Sequence, residues 1–411
     1  MASQLRAWGN TPRQQFSSLR RTPHVLYSTL PLDIPLEEEN LPYYIPYYKP
    51  EHCHTVKIGD IYEARYQVSG HIGYGAYSTS WLCRDLQENK YQVLKVSTSL
   101  PTHPTAIDRE LKIYKHLAKV NSSHPGQSLI RELYDSFDIQ GPVGRYHHFV
   151  LQPMHMTLLE MMRLNPRPFD LPLLKMTVKR LLLALDFLHT DAEIIHTGIQ
   201  PYDNLMLSLE DNSMLADFAK DEAEDPSPRR EVHKSHINYQ SYGLPILCGF
   251  GEARTGKKQE SGPFIRPHIY RALEIIFEMP WGSPVDIWNL AGLIWDLFEG
   301  EHLFEDIFDR KGGHDPFKHL ALMVALIGPP LQEFVRRSET TEQCFDRSGA
   351  WVAHEDASIH LVSLESLERR LSGQEKASFI QFIKSMLEWL PEGRKTARQP
   401  LEDPWLLYCL S

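Results

Sequence analysis

The spacing of apolar residues along this chain changes character near residue 153. From Ile58 onward they fall in short β-rich runs, Arg65 to Ile72, Thr79 to Arg84 and Tyr91 to Val96, bounded by Gly, Asp and Asn. Such runs predict an antiparallel sheet. A helix is predicted over Ala106 to Val120, then strands over Leu129 to Phe137 and Tyr146 to Gln152. Beyond these the period becomes helical: Leu174, Val178, Leu181, Leu182 and Leu185 share one side of the segment Leu171 to Leu188. Ser283 and Pro284 read as the cap and first turn of a helix with Ile287, Trp288, Ala291, Ile294, Trp295 and Phe298 on its apolar side, stopped by Gly300. The pattern predicts an α+β, bilobal fold. A small antiparallel β-lobe with one helix (58–153) precedes a larger, mainly helical lobe (154–411), and ligands favour the crevice between such lobes.

Length and composition narrow this picture. At 411 residues, 42% hydrophobic and 23% charged, the chain is too long for one typical core and has the make-up of a folded globular protein. No run approaches the roughly 18 apolar residues of a membrane span, and Leu181 to Leu188 is broken by Asp186. The balance of 43 Lys and Arg against 53 Asp and Glu, −10 net, disfavours nucleic acid as the main partner and suits a basic one. Five dispersed cysteines without a CxxC pair signal neither a disulfide framework nor a zinc site, so a reducing compartment, cytoplasm or nucleus, is expected. Residues 1–32 carry four arginines and no acid. Their Pro and Gly interrupt the amphipathic helix of a mitochondrial presequence, so a disordered tail over 1–57 is the favoured reading and import the minor one.

The first chemical candidate is Gly73-Tyr74-Gly75-Ala76-Tyr77-Ser78, between two predicted strands, where glycines let backbone amides approach phosphate oxygens. A hairpin turn uses glycines equally well. Lys95 follows inside the apolar strand Val93-Leu94-Lys95-Val96, and Glu110, in the predicted helix, offers it a carboxylate. Loop, strand lysine and helix glutamate in that order form the protein-kinase signature.

Through these residues the chain resembles the eukaryotic protein kinases, specifically the SR-protein-specific kinases and their fungal relatives. Further matching words are Ile195-His196-Thr197, Gly251-Glu252-Ala253-Arg254, Tyr270-Arg271-Ala272-Leu273-Glu274, Asp286-Ile287-Trp288, Leu390-Pro391-Glu392 with Arg394, and Pro404-Trp405-Leu406. The resemblance spans about 58–406 and implies ATP and Mg²⁺ as cofactors. It implies that Lys95 holds the α and β phosphates and Glu110 positions it, that Ile72, Gly73, Gly75 and Ser78 cover the nucleotide, and that Leu151 to Met154 form the hinge facing adenine. Glu274 resembles the carboxylate that pairs with Arg394, and Asp286 the aspartate that braces the catalytic loop.

Departures from the family fall on the chemistry. Gly198 stands where the family has its base aspartate, in His196-Thr197-Gly198-Ile199-Gln200-Pro201-Tyr202-Asp203-Asn204. A general base contributes on the order of 10²–10⁴ in rate. Asparagine comes one position late, so either Asp203 takes the metal-facing place or a bulge keeps Asn204 there. Gly249, in Gly249-Phe250-Gly251, replaces the metal aspartate, and Mg²⁺ needs hard oxygen ligands beyond the nucleotide's phosphates. The word Ala216-Asp217-Phe218 offers a substitute aspartate, but an acidic, turn-rich stretch follows it, and residues 208–243 read as an insert in the large lobe, a solvated loop carrying Ser227-Pro228-Arg229-Arg230. Thr197 replaces the arginine that reads activation-loop phosphate in many kinases. The favoured expectation is a nucleotide-binding pseudokinase that works through protein partners. The rival is an active or slow Ser/Thr kinase on Arg/Ser-rich proteins, using Asp203 or Asp217. An interaction module without nucleotide is the third. No direct nucleic-acid or membrane partner is expected.

Overall fold

The structure, a computed structural model, describes residues 54–75, 77–99, 105–141, 144–164, 166–200, 204–224, 243–260, 268–309, 312–359 and 361–407. Most of the expected tail and the Ser227 to Arg230 word lie outside these residues. Strands β1 (Ile61–Tyr62), β2 (Tyr66–Gly75), β3 (Ser78–Asp85), β4 (Lys90–Ser97), β5 (Leu133–Gln140) and β6 (Arg145–Leu151) form one antiparallel sheet in the order β1-β2-β3-β4-β6-β5. The sheet follows from the β-branched and aromatic alternation of these runs. Val68, Leu94, Val96 and Val150 point to one side, where they bury with Tyr66 and Trp81. Helix α1 (Thr105–Leu117) leaves β4 and buries Ile113, Tyr114 and Leu117 in the main core.

The segment predicted as strand from Leu129 begins later. Pro125–Leu129 is a 3₁₀ turn, led by proline and capped by His124, whose Nδ1 accepts from Gly126 N, and β5 starts only at Leu133.

After β6 the chain enters the large lobe through the short strand β7 (Met154–Thr157) and helices α2 (Leu158–Leu164) and α3 (Leu171–Thr190). Asp170 caps α3, its carboxylate accepting from Leu173 N at 2.9 Å. Leu174, Val178, Leu181, Leu182, Leu185 and Leu188 are buried on that helix, each contributing about 1.5–3 kcal/mol relative to exposure. Strand β8 (Ile194–Ile195) then leads to β9 (Leu205–Ser208), which pairs with β7 on one side and β10 (Pro245–Leu247) on the other.

Between β9 and β10 the expected solvated loop is in part ordered: Ser213–Glu224 is helix α4. It forms because Leu215, Phe218, Ala219 and Glu222 recur at helical spacing and have a surface to cover, which the acidic composition concealed. Helix α5 (Pro284–Glu299) is the apolar helix read from the sequence, stopped by Gly300 at φ 78°. Its cap differs from the expectation. Ser283 already has helical dihedrals and makes no side-chain capping bond. No described helix is long and apolar enough to cross a membrane.

Candidate nucleotide and catalytic-loop site

The glycine-rich segment is the end of a hairpin. The β2–β3 ladder runs through Gly73↔Ser80 to Gly75↔Ser78, with irregularities between Val68 and Gly70 and between His71 and Gly73. Gly73, Gly75 and Ser78 therefore share one hairpin, and Ile72 packs from β2 against the main core. On the adjacent β4, Lys95 pairs with Ser80 of β3. Its Nζ donates to both carboxylate oxygens of Glu110, at 2.8 and 2.7 Å. Glu110 is the buried partner, 7% exposed against 24% for Lys95. A carboxylate held there needs its cation, since burial without one costs several kcal/mol.

Helix α1 is fastened twice more. Arg109 Nε donates to Gly251 O at 3.1 Å and its Nη2 to both oxygens of Glu252 at 3.0 Å. Phe250 is fully buried, edge-on to Tyr114 of α1 at 5.3 Å and to His196 at 5.2 Å. Residues 249–252 thus run from the catalytic loop to the small-lobe helix. Motif spacing did not single out Arg109, Tyr114 or Phe250 for this. The available signal was the arginine beside Glu110.

Below the sheet, Leu151 ends β6 and Met154 opens β7, so the predicted hinge is the two-residue link between the lobes. Met154 packs with Ile246, Cys248 and Met206 into a small apolar cluster. Burial pushes the Cys248 thiol up to about 11, so it is neutral.

The catalytic loop is held by one buried carboxylate. Asp286 accepts from His196 N at 2.7 Å and Thr197 N at 2.6 Å, and from His189 Nε2 at 2.9 Å. The strained φ of 68° at Thr197 is fixed by these bonds and by its hydroxyl, which donates to Glu252 O at 2.8 Å. His196 Nε2 donates to Cys248 O at 2.9 Å while its Nδ1 accepts from Gly198 N at 3.3 Å. That leaves a neutral ring, consistent with burial pushing its pKa down. Elsewhere in the large lobe Arg394 and Glu274 form a buried two-bond pair, 2.7 Å at each contact.

Between the two loops the structure places Asn204 beside both glycines. Its Nδ2 donates to Gly198 O at 2.7 Å. Its Oδ1 lies 1.7 Å from where a Cβ on Gly249 would stand. Gly249 has φ 76°, so a side chain there meets both backbone strain and the Asn204 amide. Asn204, despite its late position, therefore occupies the pocket between the loops; Asp203 lies outside the described residues. Asp217 is in α4 on an exposed position.

These residues fit the two expected cofactors differently. The Lys95–Glu110 pair and the glycine hairpin suit a polyphosphate, whose charge an ammonium stabilises and which side-chain-free backbone lets approach closely. For Mg²⁺ the described residues supply less: Asn204 Oδ1 is a neutral amide oxygen, Gly198 and Gly249 carry no side-chain ligand, and among the described residues no group of three or more His, Cys, Asp or Glu side chains occurs, where a hard dication takes several oxygen ligands.

Residues 66–406 match the protein kinase domain model. The chain is 37% identical over 409 residues to a serine/threonine protein kinase of Aspergillus fumigatus, covering 96% of this chain and 97% of that protein. It is 28% identical to the serine/threonine-protein kinase SRPK of Physarum polycephalum, over 87% of this chain and 90% of the other. With human SRSF protein kinase 3 the identity is 24%, over 86% and 88%.

Proposed function

Because this chain belongs to the protein kinase family, with SRPK-type serine/threonine kinases among its relatives, we propose that it is a nucleotide-binding pseudokinase. One observation carries the reading: the Lys95–Glu110 pair is formed while Asn204 fills the space between Gly198 and Gly249. In this reading ATP lies under Ile72, Gly73, Gly75 and Ser78, its adenine against Leu151 to Met154 and its phosphates on Lys95. Without a carboxylate at 198 nothing in the described loop accepts the proton of a substrate hydroxyl. Without one at 249 the γ-phosphate has no metal to align it. The nucleotide then serves to hold the two lobes together, and the product of the protein is a surface for partners. Arg/Ser-rich proteins are the partner class that agrees with the SRPK and SRSF kinase relatives and with a net charge of −10.

The test is transfer of radiolabelled γ-phosphate from Mg·ATP and Mn·ATP to an Arg-Ser repeat peptide, beside nucleotide binding by calorimetry, for the wild type and Lys95→Ala. The expected result is nucleotide binding that Lys95→Ala weakens, with no transfer. Transfer that depends on Lys95 would overturn the reading and establish the rival, a working Ser/Thr kinase with a displaced carboxylate such as Asp203. Wild-type protein that binds no nucleotide would leave the interaction module.

A further inference from the structure

Helix α4 belongs in sequence to the large lobe, between β9 and β10, yet it packs against β2 of the small lobe. Its covered side is Leu215, Phe218, Ala219 and Glu222, at i, i+3, i+4 and i+7, whereas Asp217, Lys220 and Asp221 are exposed. Glu222 is buried although the helix is otherwise largely solvated. A glutamate seldom occupies such a place unless its stem packs and its carboxylate is partnered.

The contact closes on Gly70. A Cβ at that position would stand 2.8 Å from Phe218 Cε1, 3.0 Å from Glu222 Cγ and 3.4 Å from Glu222 Cβ. Glycine is what lets the helix lie directly on the strand. Gly70 sits two residues before Ile72, and the β2–β3 ladder is irregular on both sides of it. Such irregularities leave a strand free to bend. The helix therefore touches the glycine-rich strand where the ladder constrains it least, just before the residues that cover the cleft.

We infer that Phe218 and Glu222 are positioning residues: acting through Gly70, α4 straps the glycine-rich strand to the large lobe and sets its height over the nucleotide cleft. Closure of the lobes is then built into the chain itself. The strap itself stands on packing alone; its effect on nucleotide rests on the binding proposed above.

The experiment uses the full chain with Gly70→Val, Phe218→Ala, Phe218→Leu, the double variant Gly70→Val/Phe218→Ala, and Lys220→Ala on the exposed side as control. Two readouts are taken, amide hydrogen exchange of peptides covering β2 and the dissociation rate of a fluorescent ATP analogue. Gly70→Val and Phe218→Ala are each expected to speed β2 exchange about tenfold while α3 and α5 keep their protection. Nucleotide dissociation rises several-fold in the same two variants. Phe218→Leu and Lys220→Ala stay near wild type. The double variant is expected to be no worse than Phe218→Ala, because valine occupies the room the ring leaves. Unchanged β2 exchange in Phe218→Ala, or full addition of the two single effects, overturns the strap. A wild type that binds no analogue defeats the nucleotide reading alone, and exchange still decides the strap.

Discussion

Asn204 Oδ1 lies 1.7 Å from the point where Gly249 would carry a Cβ, so the asparagine and any side chain at 249 compete for one space. Asn204 keeps its place because residue 249 has no side chain.

An aspartate placed at 249 should for this reason fail on its own. Gly249→Asp meets both the Asn204 amide and the backbone at φ 76°, an overpacking cost of about 1–3 kcal/mol. Urea denaturation should show that loss and its partial recovery in Gly249→Asp/Asn204→Ala. Gly198→Asp is milder, since a Cβ there is 3.1 Å from Asn204 Nδ2.

Nucleotide affinity should be nearly indifferent to divalent cation. The dissociation constant for ATP, measured by calorimetry in Mg²⁺ and again in EDTA, is expected to differ by less than about threefold, because Asn204 brings a neutral oxygen and Gly198 and Gly249 bring no side-chain ligand, where Mg²⁺ takes several hard oxygens. A gain of about tenfold or more with Mg²⁺ would contradict this.

Lys95→Ala removes the cation that a buried Glu110 requires. Beyond lost nucleotide affinity, the small lobe should be destabilised by about 1–3 kcal/mol, and Glu110→Gln in the same background should return part of it, as a neutral amide tolerates the site better. Differential scanning fluorimetry of the wild type and the two variants checks the order.

The Arg394–Glu274 pair lies at 0% and 1% exposure. Arg394→Lys keeps the charge but loses one of two parallel bonds and the contact over Trp288 at 4.8 Å, so it should still destabilise clearly. Arg394→Ala should cost about 3–5 kcal/mol by leaving Glu274 buried and unpaired.

Burial pushes the pKa of His148 down to about 4, against an ordinary 6.5. The unfolded chain thus binds a proton that the folded one refuses, so stability is full above about pH 6.5 and falls as pH drops from there toward 4. The loss at pH 5 is on the order of 2 kcal/mol for this residue. His148→Phe, which keeps the ring contacts with Tyr62 and Phe137, should flatten the decline in melting temperature between pH 7 and 5.

Much of the fold was legible because it is written locally. Strand alternation, the leucine spacing of α3 and the apolar side of α5 each lie within one element, and an amphipathic period needs no partner to be read. The Lys95–Glu110 pair was legible through the order of its motifs. What misled was also local: Ser283 looked like a cap but its backbone is helical, and the acidic run after Asp217 looked like a turn although its covered side folds it as α4.

By itself the sequence determined two lobes, the family resemblance, and glycine at 198 and 249. Only the tertiary structure decided that Asn204 fills the gap, that Asp217 faces solvent on a helix, and that Phe218 rests on Gly70. The reason is that a glycine records no partner in sequence. The absence of a side chain becomes informative only when folding brings a distant group into the space it leaves.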